Sequence, residues 1–390
     1  MGEAAQGQGQ LKPQPRFSRE QYDVLVRGST AKDMTEWNAW REANPLAPVL
    51  LEGADLKRAY LERANLGAAH LEGADLRFAR LENAHLSRAH LEHANLFEAR
   101  LEGADLWDAC LQGADLKGAH MENTLLNSAH LENADLKAAH LEKANLMGAR
   151  LADADLKGAH LTDAFLSGAN LDSADLMGAF LQNAELYRAH LANVDLDIAD
   201  LRGARFNEAT VDGNTLISGC RVDRRTDFTG VGLDSARVEP GLRQLLDYNI
   251  RRLGWIEWYK RHRFLSGPMR LFWAVSDYGR SGKRVLGSFF GFALAFAVAY
   301  SLRPSMITDL EVPGREQVPV FVRAVYFSLV TMTTLGFGDM HAAPDSWGGH
   351  ILLTVQVFLG YVLLAALVTR LAILFTSGGP PADFPKDGRP

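Results

Sequence analysis

Thr333, Thr334, Leu335, Gly336, Phe337, Gly338 and Asp339 form one unbroken run whose chemistry lies in the backbone. A cation that sheds part of its water shell needs replacement oxygens, and main-chain carbonyls supply them without a fixed charge. Gly336 and Gly338 admit backbone conformations that line successive carbonyls up, and the Thr334 hydroxyl adds a further oxygen. Other residues recur every twenty positions. Asp55, Asp75, Asn95, Asp115, Asp135, Asp155, Asp175 and Asp195 make one such column; His120, His140 and His160 make a second, and His90, Cys110 and His130 a third. Stacked carboxylates would attract cations, and imidazoles in contact would sense pH or hold a metal. The plainer readings are Asp/Asn side chains bonded to turn backbone and exposed polar filler. No nucleophile–base set, phosphate loop or strong metal motif appears, so an enzyme is not expected.

The elements that position these residues are of two kinds. From Leu51 to Leu201 leucine returns every fifth residue, with Met121 the sole exception, and alanine returns every fifth residue from 54 to 209 except at Thr124 and Val194. A helix would scatter such leucines around its cylinder, because five steps of about 100° advance each one by about 140°. A flat strand would throw alternate leucines to opposite faces, since five is odd. Bending the chain once per repeat points every leucine inward. The result is a solenoid with flat sides and a narrow interior.

Behind the repeats lie apolar segments. Val285 to Leu302 carries no charge over 18 residues, about 27 Å as a helix and enough to cross a bilayer core. Ile351 to Phe375 is a second span, interrupted by Gln356 and Arg370. Phe321 to Val330, with Arg323, is too short to cross and reads as re-entrant. Charge is divided just as sharply. Residues 51 to 200 hold 25 acidic and 13 basic side chains, a net of −12 against −6 for the whole chain, so the remainder sums to +6. Ten Lys/Arg between Arg243 and Arg284 face only Asp247, Glu257 and Asp277. Basic residues crowding the first span place the solenoid, and after two crossings the C-terminus, in the cytoplasm. The polar start, Met1 to Gln10, has no signal-peptide core, and two distant cysteines, Cys110 and Cys220, fit a reducing compartment.

Runs such as Ala54-Asp55-Leu56 and Ala134-Asp135-Leu136 resemble the pentapeptide-repeat family pattern A(D/N)LxxA over about 51 to 216. That resemblance implies an all-β right-handed quadrilateral β-helix with four repeats per coil, hence roughly eight coils stacked at about 4.8 Å each. Acidic rods of that family are associated with DNA mimicry; the attached spans favour a membrane role, and no nucleic-acid partner is expected. Residues 285 to 375 resemble the pore of the two-transmembrane tetrameric potassium channels: outer helix, re-entrant pore helix, filter, inner helix. The resemblance implies a selectivity filter at Thr334, Leu335, Gly336, Phe337 and Gly338. K⁺ would be held at Thr334, Leu335, Gly336 and Phe337, with support from Thr333, Asp339 and Tyr326 and an inner-helix hinge at Gly360. Leu335 and Phe337 replace the commoner Val and Tyr of that family, and Val330 stands where some relatives carry a glutamate.

The expected organisation is multidomain: a lead and cap over 1–48, the β-helix over 49–216, a cap, linker helix and basic juxtamembrane segment over 217–284, the α-helical pore over 285–375, and a tail over 376–390. The expected function is a homotetrameric K⁺ channel subunit in the cell (inner) membrane. It needs no cofactor beyond its permeant ion, and its solenoid would serve regulation or assembly, meeting an unidentified cytoplasmic ligand or protein. The alternatives are a weakly selective cation channel of the same architecture and a membrane-tethered scaffold.

Overall fold

The computed structural model describes residues 17–262, 281–308, 318–333 and 341–376, with a few positions between 267 and 278. The chain forms two compact units that divide at Leu242. In the first, the five-residue period becomes a coil of twenty. Parallel bridges join residues twenty apart, from Leu50 with His70 to Glu185 with Arg205. Leu56 N donates to Asp75 O at 2.8 Å, and Asp75 N donates to Ala54 O at 2.9 Å; this pair of bonds repeats along the solenoid. The leucines and alanines are buried throughout. Regular strands are minimal: β1 (His190–Leu191) pairs with β2 (Thr210–Val211), and β3 (Leu216–Ile217) with β4 (Arg237–Val238).

Each side turns the same way. Ala59 N donates to Leu56 O at 3.0 Å, and the intervening Arg58 has φ 58°. A positive φ at the third turn residue alone is the requirement of a type II turn. Gly and Asn suit it, yet Phe78 (φ 59°) and Ile198 (φ 53°) also occupy it. A β-branched residue there is strained by roughly 1–2 kcal/mol, which the ladder on both sides overrides. Ile198 is also largely exposed. Replacing it with Asn should therefore stabilise the solenoid by about 1 kcal/mol, read as a higher urea midpoint; an unchanged or lower midpoint would show that the Ile198 side chain does more for the fold than its backbone strain takes away.

A stack of coils leaves unpaired backbone at its first turn, an open edge for aggregation. The N-terminal helices α1 (Arg19–Ala31) and α2 (Thr35–Ala43) supply the missing partners. Leu50 N donates to Gln21 Oε1 at 2.7 Å, Tyr60 N to Ser29 Oγ at 2.8 Å and Asn65 N to Asn38 Oδ1 at 2.8 Å. Trp37, fully buried, donates through Nε1 to Asn65 O at 2.9 Å. Helix α1 starts where it does because the Ser18 side chain accepts from Gln21 N.

Past Ala209 the sequence phase breaks, but the ladder continues. Asp195 pairs with Leu216 and Asp200 with Arg221, while Arg205 pairs with Asp227. Asp212 and Asp223 each fold an inserted residue into a tight turn, accepting through Oδ1 from the amides of Thr215 and Thr226 at 3.0 Å. The buried hydroxyls of Thr215 and Thr226 reach back to Leu191 O and Leu201 O at 2.7 and 2.9 Å. Thr124, which breaks the alanine column, bonds likewise to Leu101 O at 3.1 Å.

Helix α3 (Pro240–Arg261) begins on a proline, suited to a first helical turn. The second unit then holds α4 (Gly282–Leu302), α5 (Val320–Met332) and α6 (Trp347–Thr376). Ser281 caps α4 by accepting from Arg284 N. Gly282–Leu302 and Trp347–Thr369 are long and apolar enough to cross a membrane, and Val320–Met332 is not. Leu286, Phe290, Leu294, Val298 and Leu302 form an exposed apolar stripe at four-residue spacing on α4, and Ile351, Val355, Phe358 and Val368 do similarly on α6. In the single chain these faces lack the cover that a soluble fold would give them.

Candidate functional site

Three helices converge through packing and one buried polar chain. Phe296, Ala297, Tyr300, Ala324 and Phe327 form one core cluster; Val285, Ala293, Met332, Leu363 and Ala366 form another. Between them, Tyr300 of α4 donates its hydroxyl to Gln356 Oε1 of α6 at 2.7 Å. Gln356 Nε2 donates to Ser328 O and Oγ of α5 at 2.9 and 2.7 Å, and Ser328 Oγ donates to Ala293 O at 2.6 Å. The residue that interrupts the second span is thus fully buried and satisfied. In a site without water such a chain fixes the three helices in one mutual register.

The sequence-predicted residues fall around the end of α5. Thr333 caps it, its Oγ1 donating to Leu329 O and Val330 O at 3.1 and 3.0 Å. Thr334, Leu335, Gly336, Phe337, Gly338 and Asp339 follow directly and lie outside the described residues. The C-terminal end of α5, which carries partial negative charge, immediately precedes that run in sequence. Tyr326 is on α5 and is 55% exposed in the single chain. Gly360 packs against the last turn of α5: a Cβ there would come within 2.5 Å of Met332 O. Sequence reasoning placed Gly360 as a hinge; the structure adds close helix approach, and Gly349 does the same against Met306 O, also at 2.5 Å. Neither contact had a signal beyond glycine in an apolar helix, and the partners of Gln356 were missed because they lie 28 and 56 residues away.

On the solenoid, the eight Asp/Asn of the first column all accept, through Oδ1, from the amide two residues on, as in Lys57 N to Asp55 and Asp197 N to Asp195. Lysines cross-link neighbouring coils: Lys117 reaches Asp135 at 3.0 Å, Lys137 Asp155 at 2.6 Å and Lys157 Asp175 at 2.5 Å. The column is turn chemistry, paired with lysine from Asp115 to Asp175 and with Arg77 at Asp75. The histidines do stack, with His120, His140 and His160 ring centroids 4.7 Å apart. Cys220, buried, has its thiol pushed up to about 12 by desolvation, so it stays protonated.

Residues 288–377 match the ion-channel family model, and residues 50–213 match the pentapeptide-repeat model in eight copies. Among solved structures, HetL of the cyanobacterium Nostoc sp. strain PCC 7120, a pentapeptide-repeat protein involved in heterocyst differentiation regulation, is 34% identical. The match covers 44% of this chain and 82% of HetL, with a TM-score of 0.24. A pentapeptide-repeat protein of the Arabidopsis thaliana thylakoid lumen is 32% identical over 31% of this chain and 70% of its own, TM-score 0.18. QnrB1, a plasmid-mediated fluoroquinolone resistance protein, is 18% identical over 36% and 89%, TM-score 0.23. No curated protein matches the chain. The chain thus carries pentapeptide repeats over residues 50–213 and, behind them, an ion-channel domain with two membrane-capable helices.

Proposed function

We propose that this membrane protein is one subunit of a homotetrameric, potassium-selective channel. The observation that carries the reading is the placement of Thr334–Gly338. The run follows a 13-residue helix too short to cross, between two that can, inside the segment matching the ion-channel family. Four such runs around an axis would offer rings of carbonyls from Thr334, Leu335, Gly336 and Phe337 to a dehydrated K⁺, with the C-termini of four α5 helices adding negative potential. One chain supplies one strand of such a filter, so four are needed. Thr333, Asp339 and Tyr326 would brace it. The basic flank before α4 supports an orientation with both termini in the cytoplasm and the pore in the cell's inner membrane. The solenoid then serves as a cytoplasmic regulatory or assembly module, and the chain is not an enzyme.

Purified protein in planar bilayers separating K⁺ from Na⁺ solutions tests this directly. The expected reversal potential lies near the K⁺ equilibrium value. A reversal near zero in equimolar K⁺ and Na⁺ marks the weakly selective channel that Leu335 and Phe337 would favour, and a silent membrane marks a scaffold. Either overturns the assignment.

A further inference from the structure

The solenoid carries two histidine ladders half a coil apart. In one, His70 and His90 sit beside Glu72 and Glu92, with ring nitrogens 2.9 and 3.3 Å from the Oε1 atoms. The ladder continues through Cys110, whose thiol is pushed up by burial and by the negative charge of Glu92. That disfavours the thiolate a soft metal would take. The other ladder is different. His120, His140 and His160 stack with interplanar angles of 5° and 18°. Their Nδ1 atoms stand 3.6 Å from Glu122, 3.7 Å from Glu142 and 3.6 Å from Glu142, in that order. These spacings are longer than the 2.9 and 3.3 Å of the first ladder. The Oε2 atoms of Glu122 and Glu142, like those of Glu72 and Glu92, are buried without a hydrogen-bond partner. Each imidazole thus faces a carboxylate at a longer spacing than His70 and His90 do, and His140 and His160 share Glu142.

Bonds of about 2.0–2.1 Å meeting at a tetrahedral angle hold ligand atoms about 3.3 Å apart. Within the trios His120–Glu122–His140 and His140–Glu142–His160 the donor atoms lie within 4.8 Å of one another. The His–Glu edges are thus near metal spacing already, and half-exposed side chains close the His–His edges by moving about an ångström. We infer that His120, Glu122, His140, Glu142 and His160 form a binding strip for a divalent transition metal such as Zn²⁺. His140 belongs to both trios, so the strip holds one ion. Imidazole nitrogen with carboxylate oxygen selects zinc-like ions over Mg²⁺ and Ca²⁺, which prefer all-oxygen shells. The strip is bounded by Arg100, bridged to His120, and by Phe180, stacked on His160 at 4.7 Å.

Calorimetric titration of the full chain in detergent with Zn²⁺ tests the strip. Wild type should bind one ion per chain with this ladder, and His140→Ala should weaken that binding about tenfold or more. Glu122→Gln with Glu142→Gln, which keeps side-chain shape, should weaken it too, while His90→Ala should not. Zinc should raise the melting temperature of wild type and leave that of His140→Ala where it was. Equal zinc affinity in wild type and His140→Ala, or a loss confined to His90→Ala, would overturn the assignment, and two ions bound at this ladder would overturn the shared ligand.

Discussion

Aspartate in place of Leu136 should unfold the middle of the solenoid. Leu136 is fully buried in the leucine stack, and its amide sits in the ladder by donating to Asp155 O at 2.8 Å. The substitution removes apolar packing and introduces a carboxylate with no partner, a penalty on the order of 5 kcal/mol. Because each coil touches only its neighbours, the damage starts locally and splits the stack in two. Glu132→Gln, at a partly exposed position of the same coil, should stay within about 0.5 kcal/mol of wild type. Circular dichroism melts and limited proteolysis of the two variants separate the cases; matching melts would refute the inward-leucine architecture.

The second large effect is expected in the membrane unit. Alanine at Gly360 puts a methyl 2.5 Å from Met332 O and 3.1 Å from its carbonyl carbon. The obstacle is backbone, so α5 and α6 must separate, at about 1–3 kcal/mol, and the displacement falls on the residue just before Thr333 and the proposed filter. Loss of both thermal stability and ion current should follow. Gly287→Ala and Gly291→Ala on α4, where a new methyl meets nothing within 4 Å, should be silent and serve as controls. A glycine needed only for hinge motion would behave otherwise: Gly360→Ala would change opening while the melt stayed put.

What the sequence revealed and what it hid divide along a physical line. The repeats were legible because inward side chains recur at fixed spacing, and the spans because apolar length alone marks them. The left-handed turn position was not, since Arg58, Phe78 and Ile198 hold it through the ladder's constraint and not through preference. Beyond 216 the sequence showed a cap but not its pairing, because single-residue insertions shift the phase while Asp212 and Asp223 absorb them locally. At the candidate site, the polar chain joining Tyr300, Gln356 and Ser328 could not be read. Its members come from three helices, and nothing local pairs them. Likewise the histidine columns were visible as a period, whereas only coordinates show that the His–Glu contacts are short in one ladder and longer in the other.

The twenty-residue register has a consequence for how such a gene can change. Duplicating or deleting the codons of a whole coil returns every column to its own face, since each residue bridges to the one twenty farther on. Duplicating a single pentapeptide keeps the core intact but rotates everything downstream by one side, moving the lysine-linked aspartates under what were histidines. Length is therefore free to drift in whole coils under replication slippage, while shifts of one repeat are purged wherever a face matters. Counting insertions by size across natural variants would show which faces are under selection without any assay of the channel.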